Sequence, residues 1–389
     1  MTKSNSGIAR LRPMFSRKVM LASVTPLASI FGSGFLIIVP VLERTMGGLA
    51  VLGVIAVCAV AWLVGTAIRH NVATVEPLIL DERLGRFDRL TEWTSDLVIV
   101  VAYVISVALY LRIMSEYVIE LVVPGSDTAE RALASAAVIL IIGVGIFRGF
   151  RGLDRMERLA LAAVLVLTTV LGGALFISDA TSLVDGSIDL PPVPDRSITD
   201  VLLVLGGIVI TVQGFETVRY LAAEYDQQTR IWASRLAQAV SSSIYIGFVI
   251  VATPLMGLGT IHGASEILLD ITKRVVPLLS IPIVVTAVLS QFSAATADTV
   301  AANGNLRAYF GKWIGRPGPY LLIGVAAVLL IWSVSTFAII ALASRAFAAY
   351  YALQCLIALR TSESVPAKVG FGLLAALLAA IALLARPVG

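Results

Sequence analysis

The sequence is poor in charged residues, cysteine and histidine. Charged residues make up 14% of the 389 residues and hydrophobic residues 58%, whereas a soluble domain has about 25% charged residues. This balance excludes a soluble globular protein and indicates a polytopic membrane protein. Both cysteines, Cys58 and Cys355, lie in apolar stretches, which argues against a disulfide framework and against a zinc site with paired ligands.

Sequence signatures of enzymes and of nucleic-acid binding are also lacking. His70 and His262 are isolated, and neither a His-Glu-x-x-His nor a Gly-x-x-x-x-Gly-Lys motif occurs. The net charge is +4, but the basic residues lie in loops between apolar stretches, where they set membrane topology. We therefore expect no enzymatic activity and no nucleic-acid partner, and a lipid bilayer as the protein's surroundings.

The long apolar stretches predict an all-α polytopic fold. A helix needs about 20 residues to cross about 30 Å of hydrocarbon. Eleven stretches of adequate length occur, at about residues 18–42, 47–68, 97–123, 132–148, 158–178, 199–222, 234–258, 277–302, 318–335, 337–359 and 366–385.

The loop charges predict the orientation of these spans. Of the 29 Lys and Arg residues, twenty-one fall on the side of the N-terminus and six on the other side, while Arg112 and Arg345 lie inside spans. Cytoplasmic loops collect basic residues. We therefore expect a multi-pass protein of the cell inner (plasma) membrane, with residues 1–17 as a cytoplasmic tail and the C-terminus outside.

Two connections carry helical patterns of their own. Between Arg69 and Asp96, apolar residues are spaced for one helical face, which predicts a helix lying along the membrane surface. Residues 263–274 alternate apolar and charged residues at helical spacing. They are either a short outer helix or an ordinary connector.

Two spans are interrupted at corresponding positions. Gly32-Ser33-Gly34 interrupts the first span, and Gln213-Gly214-Phe215-Glu216 interrupts the sixth. Backbone freed at membrane depth survives only where protein or a cavity satisfies it, and paired interruptions of this kind mark a transporter's binding site. The alternative is that the glycines only permit close packing of helices.

Counting from the interruptions divides the chain into two halves of opposite orientation, because five spans is an odd number. The predicted divisions are a first five-helix repeat at 18–178, an outer loop at 179–198, a second repeat at 199–360, and an eleventh helix with the C-terminus at 361–389. If the first helix unwinds at Phe31–Gly34, its free N–H groups suit a substrate carboxylate. The carbonyls of Ala28, Ser29 and Ile30 would suit a small cation.

The interruptions carry a family resemblance. Gly32-Ser33-Gly34-Phe35 followed by Pro40, and Gly214-Phe215-Glu216 running on to Glu224, are similar to first-helix and sixth-helix signatures of the amino acid, polyamine and organocation (APC) transporter superfamily. The resemblance implies a LeuT-like 5+5 inverted repeat plus one extra helix, although twelve spans are usual in the family. It also implies a substrate site near the midplane, for which the expected residues are Ser29, Phe31, Gly32, Ser33, Gly34, Gln213, Gly214, Phe215 and Glu216.

The eighth span carries a stripe of hydroxyl groups. Thr286, Ser290 and Ser293 share one helical face, and Thr296-Ala297-Asp298 is similar to the eighth core helix of sodium:solute symporters. The resemblance implies a bound Na⁺, the one ligand expected besides substrate. Its expected ligands are Ala28, Phe31, Ser293 and Thr296. The alternative is that the hydroxyls bond back to their own helix.

Ionisable residues inside spans are costly unless they are paired or functional. Glu216 and Asp298 are candidates for coupling through a proton or a cation, although Glu216 has a structural alternative as a partner of Arg219. We expect Arg112 to pair with Glu116. Arg345 needs a partner on another span, for which Asp298 and Glu216 are candidates.

The resulting expectation is a secondary active transporter. It would move a small organic solute, such as an amino acid or a related carboxylate or amine, by alternating access with Na⁺ or H⁺. A transporter-like sensor or channel is the alternative, followed by a membrane-embedded enzyme. The sequence leaves open the solute, the coupling ion, the choice between symport and exchange, and the oligomeric state.

Overall fold

The computed structural model of the protein describes residues 15–148, 153–184, 190–256, 269, 272–273 and 276–387. These residues form helices, turns and irregular connections, with no strand among them. The α-helices, numbered in chain order, are α1 Arg17–Ala22, α2 Val24–Met46, α3 Ala50–Leu80, α4 Arg86–Val122, α5 Asp127–Phe147, α6 Leu153–Val184, α7 Ile198–Gly206, α8 Gln227–Ala252, α9 Ser280–Ile314, α10 Gly318–Ser333, α11 Thr336–Thr361 and α12 Val365–Leu384.

Eight helical segments of the described chain are long and apolar enough to cross a membrane. The expected number was eleven, and the three differences have separate reasons. The first two predicted spans form one continuous helical stretch that Gly47, with φ +49°, divides into α2 and α3. The sixth is broken into short pieces, and α10 has 16 residues.

Polar residues at the starts of several helices explain where those helices begin. Ser126, Ser197, Asp226 and Ser335 each accept a hydrogen bond from a backbone N–H in the first turn of the helix that follows. Such caps satisfy donors that would otherwise have no partner. They mark the starts of α5, α7, α8 and α11.

The core of the bundle is built around α4 and α9. These two helices pack against each other, α11 packs against α4, and α6 packs against α9. In the apolar part of α4 that is long enough to cross a membrane, 72% of the residues are buried, compared with 11% in α12. Thus α4 is a central helix and α12 a peripheral one.

The predicted surface helix between Arg69 and Asp96 is wrong. Helix α3 continues to Leu80 and α4 begins at Arg86, so only residues 81–85 connect them. The charged residues of this stretch lie on helix extensions and bind other helices there: Glu76 pairs with Arg230, Asp88 with Arg360 and Glu92 with Arg219. The possible outer helix at 263–274 falls largely outside the described residues.

Candidate functional site

The sixth span is interrupted where the sequence predicts. Helix α7 ends at Gly206, and short 3-10 helices at Val209–Val212 and Phe215–Leu221 flank Gln213 and Gly214. Gly214 has a φ of +126°, a backbone angle that residues with a Cβ rarely adopt. Its carbonyl accepts hydrogen bonds from the backbone N–H and the hydroxyl of Thr217. We call residues 198–221 the broken span.

Glu216 is buried at this interruption and is held by neutral donors. Its Oε2 accepts a hydrogen bond of 2.8 Å from the Gly214 N–H and another of 2.8 Å from the Tyr351 hydroxyl on α11. Its Oε1 has no hydrogen-bond partner in the described part of the chain. The alternative pairing with Arg219 does not form, because Arg219 pairs with Glu92 and donates to Tyr350. A fully buried carboxylate therefore lies at the interruption without a cationic partner among the described side chains.

The first span differs from the expectation, because α2 remains helical through Gly32, Ser33 and Gly34. The predicted unwinding at Phe31–Gly34 is wrong. A Cβ on Gly32 would lie 2.7 Å from the Ala294 Cβ, and a Cβ on Gly34 would overlap the Thr211 carbonyl oxygen. The glycines let α2 approach α9 and the broken span closely. This agrees with the alternative interpretation of these glycines, which was close packing of helices.

The two predicted segments nevertheless meet. A Cβ on Gly214 would lie 2.7 Å from the Ile30 nitrogen and 2.7 Å from the Ser29 Oγ, so the interruption rests directly on the backbone of α2. Phe31 contacts Tyr245 edge-to-face with 5.4 Å between ring centroids, and Phe215 stacks on Tyr351 at 5.4 Å. Gln213 donates to the Tyr110 hydroxyl over 2.9 Å. These buried side chains therefore pack both segments against the neighbouring helices α4, α8 and α11.

Two side chains that the sequence analysis missed bind carbonyls of α2 beside the glycines. The Tyr245 hydroxyl donates to the Ile30 carbonyl over 2.8 Å, and the Gln291 Nε2 donates to the Gly32 carbonyl over 2.6 Å. Gln291 is fully buried. The amide of Gln291 inside an apolar span could have indicated a contact with another helix from the sequence alone, because buried polar groups need hydrogen-bond partners.

A cavity of about 300 Å³ lies beside this contact, between α2, α4, α6, α9 and the broken span. It includes Ala28, Ser29, Ser293 and Asp298 from the predicted site. The Ser293 Oγ and the Asp298 Oδ2 are buried and have no hydrogen-bond partner among the described residues. The cavity lining also contains polar residues that the sequence analysis did not select: Thr25, Glu157, Thr217, Tyr220 and Asn305.

The lining is acidic and rich in hydroxyl groups. Thr25 donates to the Glu157 Oε2 over 3.1 Å and thereby links α2 to α6. Asp298 lies within electrostatic range of both Glu157 and Glu216. No Lys, Arg or His lines the cavity within the described chain. Glu157 was missed because it lies in the first turns of a helix that follows an arginine-rich loop, where a carboxylate usually contacts solvent.

Of the predicted cation ligands, Ala28 and Ser293 line this cavity, and Phe31 and Thr296 do not. Thr296 donates to the Phe292 carbonyl over 2.7 Å, within its own helix. Ser290 likewise donates to Ala287, over 3.3 Å. A donated hydroxyl proton leaves the oxygen lone pairs available for a cation. No group of three or more His, Cys, Asp or Glu that could hold a metal occurs in the described chain.

The two arginines inside spans have structural roles. Arg112 pairs with Asp127 at 2.9 Å, Glu130 at 3.5 Å and Glu116 at 3.8 Å, which confirms its predicted pairing. Arg345 binds the carbonyls of Ala382 at 2.8 Å and Leu383 at 3.0 Å. The candidate pairings with Asp298 and Glu216 do not form, because the guanidinium instead binds carbonyls at the C-terminal end of α12 that have no partner within that helix.

We expect Arg112→Gln to destabilise the protein by about 3 kcal/mol, because breaking a buried ion pair leaves its partner charge buried. The control is Arg386→Gln, because the side chains of Arg386 and its ion-pair partner Asp200 are 66% and 46% exposed; we expect about 1 kcal/mol or less from loss of that pair. Denaturant unfolding in detergent micelles measures both changes. Equal losses for the two variants would contradict a structural role specific to Arg112.

The fold defines a multi-pass membrane protein with a cavity inside its helical bundle. A family described as APC superfamily transporter matches residues 12–385. An uncharacterized protein of Aquifex aeolicus (strain VF5) is 35% identical over 360 residues, which are 90% of this chain and 86% of that protein. The chain belongs to the APC superfamily of transporters.

Proposed function

We propose that the protein is a cation-coupled secondary transporter that moves a small organic solute with a cationic amine group, such as an amino acid or a related amine, by alternating access. The observation that carries this proposal is the cavity beside the broken span. It holds a buried carboxylate, Asp298, with an unpartnered oxygen and no basic residue among its described lining. A buried charge needs compensation, which a cationic solute or ion would supply.

The packing of the helices supports a 5+5 inverted repeat. Several contacts recur between elements that are five spans further along the chain. Thus α2 packs on α3 as the broken span packs on α8, and α4 packs on α5 as α9 packs on α10. Contacts between halves follow the same rule: α2 packs on α8 as the broken span packs on α3, and α6 packs on α9 as α11 packs on α4. Eleven spans with α12 as the extra helix fit this arrangement.

The position of the cavity supports a state that faces the cytoplasm. Thr25, Glu157 and Tyr220 lie near the helix ends that adjoin the basic loops, and Asn305 lies toward the C-terminal end of α9. By the distribution of basic residues, that side is cytoplasmic. The contact of Phe31 with Tyr245 and of Phe215 with Tyr351 closes the protein beyond the cavity. Alternating access would require that contact to open while the cavity closes.

The coupling ion would bind at the same place. The Ser293 hydroxyl and the Ala28 carbonyl suit Na⁺, and Glu216 and Asp298 suit a proton. The Ile30 and Gly32 carbonyls already accept hydrogen bonds from Tyr245 and Gln291. Of the two predicted ligands from α2, the Ala28 carbonyl is the better candidate, because Ala28 lines the cavity and Phe31 does not.

Uptake into liposomes containing the purified protein tests the proposal. Labelled amino acids, alkylamines and alkylcarboxylates of matched size would be offered under an imposed Na⁺ gradient and, separately, an imposed pH gradient. We expect accumulation against a concentration gradient for solutes with an amine group, and dependence on one of the two ion gradients. Flux that never exceeds equilibration would indicate a channel, and binding without flux would indicate a sensor; either result would overturn the proposal.

A further inference from the structure

A second cavity lies on the flank of the bundle, between α3, α8 and α12, and is separate from the candidate transport site. Its volume is about 770 Å³. The side chains that characterise it are two tryptophans, two arginines, a histidine and a phenylalanine: Trp62, Trp232, Arg69, Arg235, His70 and Phe371. Basic and aromatic groups thus share one pocket between membrane helices.

Arg69 is a buried cation whose hydrogen-bond partners among the described residues are all neutral groups. It is 5% exposed. Its guanidinium donates to the Gln238 Oε1, the Thr66 hydroxyl, the Ser234 hydroxyl and the Trp62 carbonyl. Gln238 in turn donates to the Ala61 carbonyl over 2.7 Å, and a side chain at Gly65 would overlap Gln238. The sequence therefore positions this guanidinium without neutralising its charge.

Arg235 brings a second positive charge to the same pocket. It stacks over the Trp232 ring at 4.8 Å, as Arg69 stacks over the Trp62 ring at 5.2 Å. None of the ion pairs in the described part of the chain involves either arginine. The two guanidinium groups lie within electrostatic range of each other. Two like charges in a pocket whose described lining has no carboxylate favour an anionic ligand.

We propose that this pocket binds the headgroup of an anionic phospholipid. The Arg235 guanidinium can offer phosphate a planar fork of donors. Arg69, whose terminal nitrogens already donate within the protein, adds positive charge, and basic pockets between membrane helices suit anionic headgroups. Tryptophan is enriched at the membrane–water interface, and Trp62 is 40% exposed. The flanking helices expose apolar side chains, including Leu63 on α3 and Leu373 on α12, against which acyl chains can lie.

Native mass spectrometry of the full-length protein tests this site. Protein purified in detergent would be exposed to equal amounts of phosphatidylglycerol and phosphatidylcholine of matched acyl chains. We expect the wild-type protein to retain phosphatidylglycerol preferentially. Arg235→Gln should reduce that preference about fivefold, which corresponds to about 1 kcal/mol for one arginine near an anionic headgroup. Arg316→Gln, an exposed arginine outside the pocket, is the matched control and should leave it unchanged.

A competition arm separates a lipid from free phosphate. Inorganic phosphate in excess should not displace the bound phosphatidylglycerol; its displacement would point to a soluble anion and overturn the lipid assignment. Equal retention of the two lipids, or the same loss in Arg235→Gln and Arg316→Gln, would also overturn the proposal. Arg235 is preferred to the buried Arg69 because it is partly exposed and its replacement leaves the Gln238 network intact.

Discussion

Replacing Gly34 with alanine is expected to prevent stable folding or to destabilise the protein by more than about 3 kcal/mol. The added methyl group would overlap the Thr211 carbonyl oxygen and lie 2.6 Å from the Tyr245 hydroxyl. The overlapping atom belongs to the backbone of the broken span, so a change of rotamer cannot relieve it. Overpacking usually destabilises a protein by about 1–3 kcal/mol. We expect an overlap with backbone atoms to cost at least the upper value of that range, because the backbone cannot easily move. Size-exclusion chromatography after heating measures how much folded protein remains.

Gly143→Ala is the matched control, because Gly143 also lies inside a membrane helix but an added Cβ there meets nothing within 4 Å. Alanine is a better helix former than glycine by about 1 kcal/mol. We therefore expect this control to be neutral or slightly stabilised. If Gly34→Ala behaved like Gly143→Ala, the close approach of α2 to the broken span would not exist as described.

The comparison of Gly34 with Gly214 shows how far the sequence can predict this site. Both glycines lie in apolar spans at corresponding positions, and both were read as places where a helix unwinds. Only Gly214 has a positive φ and a broken helix around it. Gly34 is helical, and a glycine is needed there because the Thr211 carbonyl of the broken span leaves no room for a Cβ. Sequence shows that a side chain is absent, but the reason depends on a tertiary contact that local pattern does not contain.

The charges show the same limit. Arg112 and Glu116 are one helical turn apart, so their pairing could be read directly from the sequence. Arg345 has no carboxylate within one turn, and its partners are backbone carbonyls at the end of α12. Backbone acceptors carry no residue signature. The charged residues between Arg69 and Asp96 suggested a surface helix for a related reason, because the residues that pair with them are distant in sequence.

Asp298→Asn is expected to reduce solute uptake at least about tenfold, because the proposed transport site depends on that negative charge. Asp298 is 4% exposed, lines the cavity and has a buried oxygen without a partner in the described chain. Asparagine keeps the size of the side chain and removes the charge. A hydrogen bond to a charged group contributes about 1.5–3 kcal/mol, and its loss corresponds to roughly 10-fold to 100-fold in affinity. Uptake into liposomes, measured over a range of solute concentrations, gives the effect.

The concentration dependence distinguishes two roles for this carboxylate. If Asp298 binds the amine group of the solute, the variant should raise the solute KM, and alkylcarboxylates should then compete better than in the wild type. If Asp298 carries the coupling proton, the variant should lose the dependence of uptake on the pH gradient. Asp226→Asn is the matched control, because Asp226 caps α8 outside the cavity and asparagine caps a helix about as well. Equal uptake by wild type, Asp298→Asn and Asp226→Asn would remove Asp298 from the transport site, and the unpartnered carboxylate would then need a structural explanation.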